Sequence, residues 1–187
     1  MADVPPQVSP RVTSEREICR GKRVVLRRLS VSYGSATFEA DRVAFGPSVV
    51  ILPVLEDGRV LLIRQWRAAV NGWVLEAPAG RMEPGEAPEE AARRELEEET
   101  GYRAARLERM YSAYVSPGYS DEVQHAFIAT GLSRARQALE PDEVIRLAPM
   151  TVGEYLSAAS SGTVDLKTLA LVLLYSSRAA CPCQATG

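Results

Sequence analysis

Hydrophobic and polar residues alternate over much of the first half of the chain, which is the pattern of half-buried β-strands. The dipeptide Gly34-Ser35 separates two such stretches, and the turn sequence Glu56-Asp57-Gly58-Arg59 separates two more, so each pair predicts a β-hairpin. A shorter apolar stretch before Pro78 predicts one further strand. The strands predicted in this half are residues 24–33, 36–45, 49–55, 59–66 and 73–77.

The second half of the chain mixes helical and strand patterns. Pro88 suits the first turn of a helix and Gly101 suits the residue just beyond its end, so residues 88–100 are predicted to form a helix. The other predicted elements are strands at 107–115, 122–129 and 144–149 and helices at 151–160 and 166–177. The first 15 residues are rich in proline and serine and are expected to be loose. The pattern as a whole predicts a mixed α/β (α+β) fold.

The composition is that of a folded domain with no evident nucleic-acid or membrane partner. Of the 187 residues, 46% are apolar, which is enough for a full core, and the net charge is −2. No apolar run reaches the ~18–20 residues that span a bilayer. The N-terminal segment lacks the apolar region of a signal peptide, so a cytoplasmic location is expected.

Cysteine and histidine are too few to indicate their usual chemistry. Cys181 and Cys183 stand close together in a tail of small residues, where they could bind a soft metal, but a zinc site normally needs four ligands. The single histidine, His125, lies in an alternating stretch and argues against a Ser-His-Asp or Cys-His mechanism. Acid–base chemistry is therefore expected from carboxylates.

Three carboxylates share one face of the predicted helix. Glu95, Glu98 and Glu99 stand at positions i, i+3 and i+4, where like charges repel by a few tenths of a kcal/mol per pair. They also lie near the helix C-terminus, whose dipole is already negative. A bound divalent cation would reverse both penalties. The alternative is a solvated charged face that Arg93 and Arg94 partly neutralise.

The spacing around these glutamates favours the metal site. Residues 80–102 match the pattern G-x5-E-x7-R-E-U-x-E-E-x-G-U at every fixed position, where U is a bulky apolar residue. At average residue frequencies such a match arises about once in a billion start positions. The segment resembles the Nudix box, the signature of the Nudix hydrolase family. The resemblance implies a Nudix-type α/β/α sandwich with a mixed sheet and an N-terminal β extension, in which the box holds divalent metals against a diphosphate.

The resemblance also implies a role for each matching residue. Glu95, Glu98 and Glu99 would be metal ligands or their immediate supports, together with the backbone carbonyl of Ala79. The expected metal is Mg²⁺, with Mn²⁺ as a possible substitute. The residues that would support the loop and the ligands are Glu86 and Arg94, with Gly80 and Gly101 as turn glycines.

Features outside the box resemble the ADP-ribose pyrophosphatase subfamily. They are Pro117 downstream of the box, residues 64–67, residues 75–80 and residues 165–168. In that subfamily the arginine at the position of Arg67 contacts the substrate, and the substrate-binding residues predicted here are Arg67, Glu76 and Pro117. The function that the resemblance implies is Mg²⁺-dependent hydrolysis of ADP-ribose to AMP and ribose 5-phosphate.

Three other functions stay open at this point. Another nucleoside diphosphate sugar, such as ADP-glucose or GDP-mannose, is an alternative substrate. A non-catalytic sensor of nucleotide-linked sugars would be expected to lose box carboxylates, but all of them are present. A structural or interaction domain whose charged helix is only solvated predicts no effect of Mg²⁺ on thermal stability.

The base that activates water is expected in a loop after the box, where this subfamily supplies a glutamate. Glu140 and Glu143 are the candidates, with Glu143 slightly preferred, and Glu98 of the box competes with both.

The chain is predicted to comprise an N-terminal tail and hairpin (1–46), a Nudix domain (47–178) and a flexible tail (179–187). The subfamily resemblance implies a homodimer with exchanged N-terminal strands, in which residues 24–46 help to form the partner's adenine pocket. Tyr33 or Phe45 could stack on adenine, with ordinary strand packing as the alternative.

Overall fold

The computed structural model describes residues 9–162 and 164–180, and side chains up to residue 178. Cys181 and Cys183 lie outside the described residues. The described chain forms two compact units. The first comprises the residues up to Gly46 together with the segment Tyr114–Val123, and the second comprises Pro47–Ala113 and the residues from Gln124 onward.

The first unit is built on a three-stranded antiparallel sheet. Its strands, in spatial order, are β1 (Arg11–Arg20), β2 (Val25–Tyr33) and β3 (Ala36–Ala44). The predicted β2–β3 hairpin is confirmed, with Tyr33 paired to Ala36 and Val25 paired to Ala44. The expectation of a loose N-terminus is wrong for residues 11–15, because they belong to β1. All ten residues of β1 are exposed, so the strand lacks the apolar face that would have revealed it in the sequence.

The segment Tyr114–Val123 is tied to the end of β3. The carboxylate of Asp121 accepts hydrogen bonds from the N–H groups of Phe45 at 2.8 Å and Gly46 at 3.1 Å. The N–H of Val43 donates to the carbonyl of Tyr119 at 2.7 Å. These bonds explain why a segment far along the chain belongs to the first unit.

The second unit contains two sheets. Its strands are β4 (Ser48–Pro53), β5 (Val60–Arg67), β6 (Gly72–Glu76), β7 (Ala79–Arg81), β8 (Tyr102–Tyr114), β9 (Val123–Arg134) and β10 (Ile145–Met150). In spatial order the two sheets are β7-β4-β9-β8 and β10-β5-β6. Because β4 pairs antiparallel with β7 and parallel with β9, the first of these sheets is mixed.

The second predicted hairpin is wrong, although its turn forms. The N–H of Leu55 donates to the carbonyl of Arg59 at 2.8 Å. Beyond this turn β4 and β5 share only the bridge between Val54 and Val60, and then they enter different sheets. The reason is that β4 already has β7 on one side and β9 on the other, so it has no free edge for β5.

Three helices cover the sheets of the second unit. They are α1 (Pro88–Thr100), α2 (Val152–Ala159) and α3 (Leu166–Ala180). Neighbouring residues of β4 enter different cores, since Val49 packs in a cluster with Leu96 of α1 and Val50 packs in a cluster with Leu171 of α3. A central strand that is buried on both faces by helices gives the predicted α/β/α sandwich.

Helix α1 has the bounds that the sequence predicts. It begins at Pro88 and ends before Gly101, whose φ is +70° and whose N–H donates to the carbonyl of Glu97 at 2.8 Å. The other predicted helices and strands of this unit form with shifted ends, and β7, only three residues long, is an additional strand. None of the described helices is both long and apolar enough to cross a membrane.

Candidate functional site

Helix α1 packs against β7 and carries the three predicted metal ligands. Glu95 and Glu99 are buried, with 8% and 1% of their surface exposed, whereas the side chain of Glu98 is 41% exposed. Ala92 and Leu96 of the same helix pack in the apolar core, which fixes the rotation of the helix about its axis. The acidic face is therefore held against β7.

Glu99 is a buried acid beside β7. Its carboxylate accepts a hydrogen bond from the N–H of Ala79 at 2.9 Å. Burial raises the pKa of Glu99 well above its usual value, the charges of Glu95 and Glu143 raise it further, and Ala79 and Arg67 act in the opposite direction. A carboxylate in such a place is strongly stabilised by a nearby cation.

Glu95 occupies the space above Gly80. A Cβ on Gly80 would stand 1.9 Å from the carboxyl carbon of Glu95. Gly80 does not adopt a left-handed backbone conformation. The prediction that a Cβ at Gly80 would be hindered is confirmed, but the reason is not a turn: Gly80 lies in β7, and the glutamate fills the side-chain space. Burial raises the pKa of Glu95 to about 7, although the hydrogen bond and charge of Arg94 lower it.

Arg94 connects the acidic face to the loop that precedes α1. Its guanidinium donates to the two carboxylate oxygens of Glu86 at 2.9 Å each, to Glu95 at 2.8 Å and to Glu98 at 3.1 Å. It also donates to the carbonyl of Arg81 at 3.0 Å. The hydrogen bond to Glu86 contributes most to raising the pKa of Arg94, so this arginine stays charged among the carboxylates.

The loop that follows β9 is anchored on the C-terminal end of α1. The N–H of Ala138 donates to the carbonyl of Glu98 at 3.0 Å, and the side-chain amide of Gln137 donates to the carbonyl of Glu99 at 2.7 Å. Gly101 permits this approach, because a Cβ there would lie 3.1 Å from the N atom of Gln137. The loop thus provides partners for helix carbonyls that would otherwise have none.

The same loop carries the two glutamates that the sequence proposes as bases. Burial is the main reason for the raised pKa values of Glu95 and Glu99, and the negative charge of Glu143 raises both further. The N–H of Glu140 donates to the carboxylate of Glu143 at 3.0 Å. The negative charge of Glu143 therefore acts on the acidic side chains of α1.

Arg67 forms a two-bond ion pair with Glu76 in the same unit. Its Nε and Nη2 atoms donate to the two carboxylate oxygens of Glu76 at 2.8 Å each. Glu76 is buried, and the ammonium group of Lys167, at the start of α3, donates a hydrogen bond to its carboxylate at 2.8 Å. The charges of Arg67 and Glu99 affect each other's pKa, so Arg67 lies near the acidic face of α1.

The family model described as NUDIX domain matches residues 44–170. This span contains α1, the strands β4 to β10 and the loop that carries Glu140 and Glu143. The chain belongs to the Nudix family. Residues 80–102 are thus its Nudix box, and Glu95, Glu98 and Glu99 are the box carboxylates.

Relatives within the Nudix family act on nucleoside diphosphate derivatives. The chain is 39% identical over 124 residues to the ADP-ribose pyrophosphatase of Bacillus subtilis (strain 168). The aligned residues cover 65% of this chain and 67% of the relative. It is 38% identical over 136 residues to the GDP-mannose pyrophosphatase of Cronobacter sakazakii, which covers 67% of this chain and 70% of the relative. A crystal structure of an ADP compounds hydrolase superposes with a TM-score of 0.81 at 18% identity, over 91% of this chain and 94% of that one, and it confirms the fold.

Nudix hydrolases need divalent cations, and the donors of this Nudix box fit one. Two buried carboxylates with raised pKa values offer the hard oxygen ligands that such cations prefer. Among residues 9–162 and 164–180, no three acidic, histidine or cysteine side chains are already gathered as a metal cage. Arg94 now bonds one oxygen of Glu95 and one oxygen of Glu98, so a cation that takes either of these oxygens must displace Arg94 from it.

Two residues remain to be placed: Pro117, which the sequence predicts to bind substrate, and Lys167, which it does not predict. Pro117 belongs to the first unit, within a turn in which the carbonyl of Ser116 accepts from Tyr119 and Ser120, and its role in substrate binding stays a prediction. Lys167 is a site residue that the sequence alone does not single out. The Asp165-Leu166-Lys167-Thr168 motif at the start of α3 was the available signal, because it places a cation beside the end of β6.

Proposed function

We propose that this Nudix enzyme hydrolyses the diphosphate of ADP-ribose to AMP and ribose 5-phosphate with Mg²⁺ as its metal. The observation that carries the proposal is the link between a cation suited to an anionic substrate and the acidic Nudix helix: Arg67 pairs with Glu76, and Ala79, three residues after Glu76, donates its N–H to Glu99. The 39% identity to the Bacillus subtilis ADP-ribose pyrophosphatase supports ADP-ribose as the substrate.

Arg67 is suited to hold the diphosphate end of the substrate. Glu76 engages its Nε and Nη2 atoms, and among the described residues Nη1 has no hydrogen-bond partner. The guanidinium is therefore held in a fixed plane while one of its edges stays available to an anion. Its side chain is 36% exposed, so a ligand can reach it.

The hydrolytic step requires a base and a stabilised leaving phosphate. A bound divalent cation would neutralise phosphate oxygens and lower the pKa of a bound water. Glu95, Glu98 and Glu99, with the carbonyl of Ala79, would hold it. Glu143 is proposed to accept the proton of the attacking water, because it is a glutamate of this loop whose charge acts on Glu95 and Glu99.

Glu98 is the competing base. Its side chain is accessible, but one oxygen of its carboxylate already accepts a hydrogen bond from Arg94. Glu143 is not bonded to Arg94 and so suits the role better.

A substrate panel tests the proposal. Purified protein with Mg²⁺ is incubated with ADP-ribose, ADP-glucose and GDP-mannose, and products are separated by chromatography. ADP-ribose should give equimolar AMP and ribose 5-phosphate with the highest kcat/KM. A higher kcat/KM for another member of the panel would reject ADP-ribose as the preferred substrate. Tight binding of all three without turnover would point to a sensor.

GDP-mannose is the second candidate because the Cronobacter sakazakii GDP-mannose pyrophosphatase is 38% identical to this chain. The box cannot separate the two substrates, since it contacts the shared diphosphate. If GDP-mannose is preferred, GMP and mannose 1-phosphate should be the products.

We further propose that the protein is a homodimer in which the first unit contributes to the interface. Support comes from the exposed apolar side chains on the three-stranded sheet: Val12, Ile18, Tyr33 and Phe38 are all exposed. Exposed apolar side chains on a sheet gain stability when a partner surface covers them. Light scattering after size exclusion should give the dimer mass, and Phe38→Glu should shift it toward the monomer. A monomer mass for the wild type at high concentration would reject the dimer.

A further inference from the structure

A buried ionic cluster joins the end of β6 to the start of α3. Glu76, the last residue of β6, is 1% exposed and accepts hydrogen bonds from Arg67 on one side and from Lys167 on the other. Burial raises the pKa of Glu76, but the hydrogen bonds and charges of its two partners outweigh this, so the carboxylate is held ionised. One buried anion between two cations has a defined orientation.

Lys167 is in turn held by Asp165. Its ammonium group donates to the carboxylate of Asp165 as well as to Glu76. Burial lowers the pKa of Lys167, while Asp165 and Glu76 raise it by more, so the lysine remains charged. The hydroxyl of the fully buried Thr168 accepts from the N–H of Ala77 at 2.7 Å, which fixes the start of α3 against the end of β6.

The cluster ends on a pair of buried groups with unused hydrogen-bonding capacity. The Oδ1 atom of Asp165 and the hydroxyl of Tyr155 are both buried, and neither has a hydrogen-bond partner. Burial, together with the charge of Asp165, raises the pKa of Tyr155, so its hydroxyl keeps the proton that it could donate. The carboxylate oxygen lacks a donor and the hydroxyl lacks an acceptor. One hydrogen bond between them, direct or through a bridging water, would satisfy both groups.

We infer that Lys167 is a positioning residue for substrate binding: with Asp165 behind it, it orients Glu76, and Glu76 orients the guanidinium of Arg67 toward the substrate. The inference rests on the proposed function, in which Arg67 contacts the diphosphate substrate. Lys167 itself acts through Glu76 and needs no contact with the reacting atoms.

The physical reason is the geometry of the ion pair. Without Lys167, Glu76 keeps its two bonds to Arg67, but the carboxylate loses the contact that fixes its plane from the other side. The guanidinium of Arg67 changes its orientation with the carboxylate of Glu76, because two hydrogen bonds join these two groups. A side chain with more orientations binds substrate less tightly, since it must be ordered on binding.

The first test compares Lys167→Met with Lys167→Arg, using ADP-ribose and Mg²⁺. Lys167→Met should raise KM about tenfold and change kcat less than about twofold, which is the pattern of lost substrate binding. Lys167→Arg should recover most of the affinity, because a guanidinium can also donate to Glu76 and Asp165. Arg178→Met is the matched control: it removes a cation from the exposed end of the same helix, where Arg178 pairs with Glu108, and should leave KM unchanged.

The second test is a double-mutant cycle with Arg67→Ala. If Lys167 acts through Glu76 on Arg67, then Lys167→Met should cause little further loss once Arg67 is absent. Thermal unfolding of each variant shows whether it is folded. If Lys167→Met proves unfolded, Asp165→Asn replaces it, since it removes the charge that pairs with Lys167, and a rise in KM of about two- to threefold is expected.

The outcomes separate this inference from the proposed function. If the wild-type protein fails to cleave ADP-ribose but cleaves another substrate, the proposed function fails, and the cycle is repeated with that substrate. The positioning role is overturned if Lys167→Met leaves KM unchanged, if it lowers kcat alone, or if its effect adds in full to that of Arg67→Ala.

Discussion

The carboxyl group of Glu95 fills the space that a side chain on Gly80 would need, at 1.9 Å from the position of its Cβ. Real Cβ atoms do not approach another heavy atom so closely, so a residue larger than glycine must displace the glutamate. We therefore predict that Gly80→Ala pushes Glu95 out of the acidic face. Activity should fall about 100-fold or more, because a displaced ligand weakens metal binding. The measurement is the kcat/KM as a function of Mg²⁺ concentration.

Gly153→Ala is the control for this variant. Gly153 lies in α2 and a Cβ there would meet only the Thr151 hydroxyl at 4.0 Å. Alanine is the better helix former by about 1 kcal/mol, so this variant should be at least as stable as the wild type and fully active. Equal activity of Gly80→Ala and Gly153→Ala would contradict the assignment of Glu95.

Glu99→Gln should remove most of the turnover while preserving the fold. The amide keeps an oxygen that accepts from the N–H of Ala79, but it loses the negative charge that a cation needs. A metal contributes several kcal/mol to such a transition state, so the loss in kcat should be about 100-fold or more. The metal-free variant should unfold at a temperature no lower than that of the wild type, because a buried charge has been removed.

Glu97→Gln provides the matched comparison on the same helix. Glu97 pairs with Arg103 at the surface, where solvent screens an ion pair and it contributes little. Its kcat should stay within about twofold of the wild type. Near-wild-type turnover in Glu99→Gln with Mg²⁺ would refute the metal assignment.

The helix that carries these glutamates could be predicted to the residue, whereas the pairing partners of β4 and β5 could not. Pro88 and Gly101 are local signals that act within one turn of α1, so the sequence alone contains them. The turn at Glu56 to Arg59 is equally local and it forms, but the partners of β4 come from β7 and β9, which lie far along the chain. Pairing of this kind depends on competition among all strands and leaves no local mark.

Glu143→Gln should lower kcat by about 100-fold and leave KM nearly unchanged, as expected when a general base is removed. Glu140→Gln makes the same change three residues earlier and keeps the N–H of residue 140 that donates to Glu143. Its kcat should stay within about threefold of the wild type. If Glu140→Gln is the more damaging change, the assignment of the base must be reversed.

Divalent cations should stabilise the protein against heat. Saturating a site at about 100 times its Kd adds ~2.7 kcal/mol, which raises the Tm of a domain of this size by roughly 5 to 10 °C. The shift in Tm is measured by differential scanning fluorimetry of chelator-treated protein, with and without Mg²⁺. About 5 to 10 mM Mg²⁺ is the range needed for a weak site. Glu99→Gln should lose most of it. An unchanged Tm in the wild type would favour a merely solvated acidic helix.

The candidate site could be predicted where the family signature fixes residues, but its supports depend on three-dimensional packing. The box indicated Glu86 and Arg94 as supports, and the structure joins them through two hydrogen bonds. The need for glycine at position 80 comes from a residue fifteen positions later, and the contact between Lys167 and Glu76 spans 91 positions. Neither relationship has a periodicity that a single sequence could reveal.

The most direct measurement is a crystal structure with Mn²⁺ and a non-hydrolysable ADP-ribose analogue, with the metal located by anomalous scattering. We predict a metal peak about 2.0–2.2 Å from oxygens of Glu95, Glu98 and Glu99, next to the diphosphate of the analogue. Arg94 should have released at least one of the carboxylates that it now contacts. A fully bound analogue with no metal peak, and with Glu95 and Glu98 still bonded to Arg94, would contradict the account.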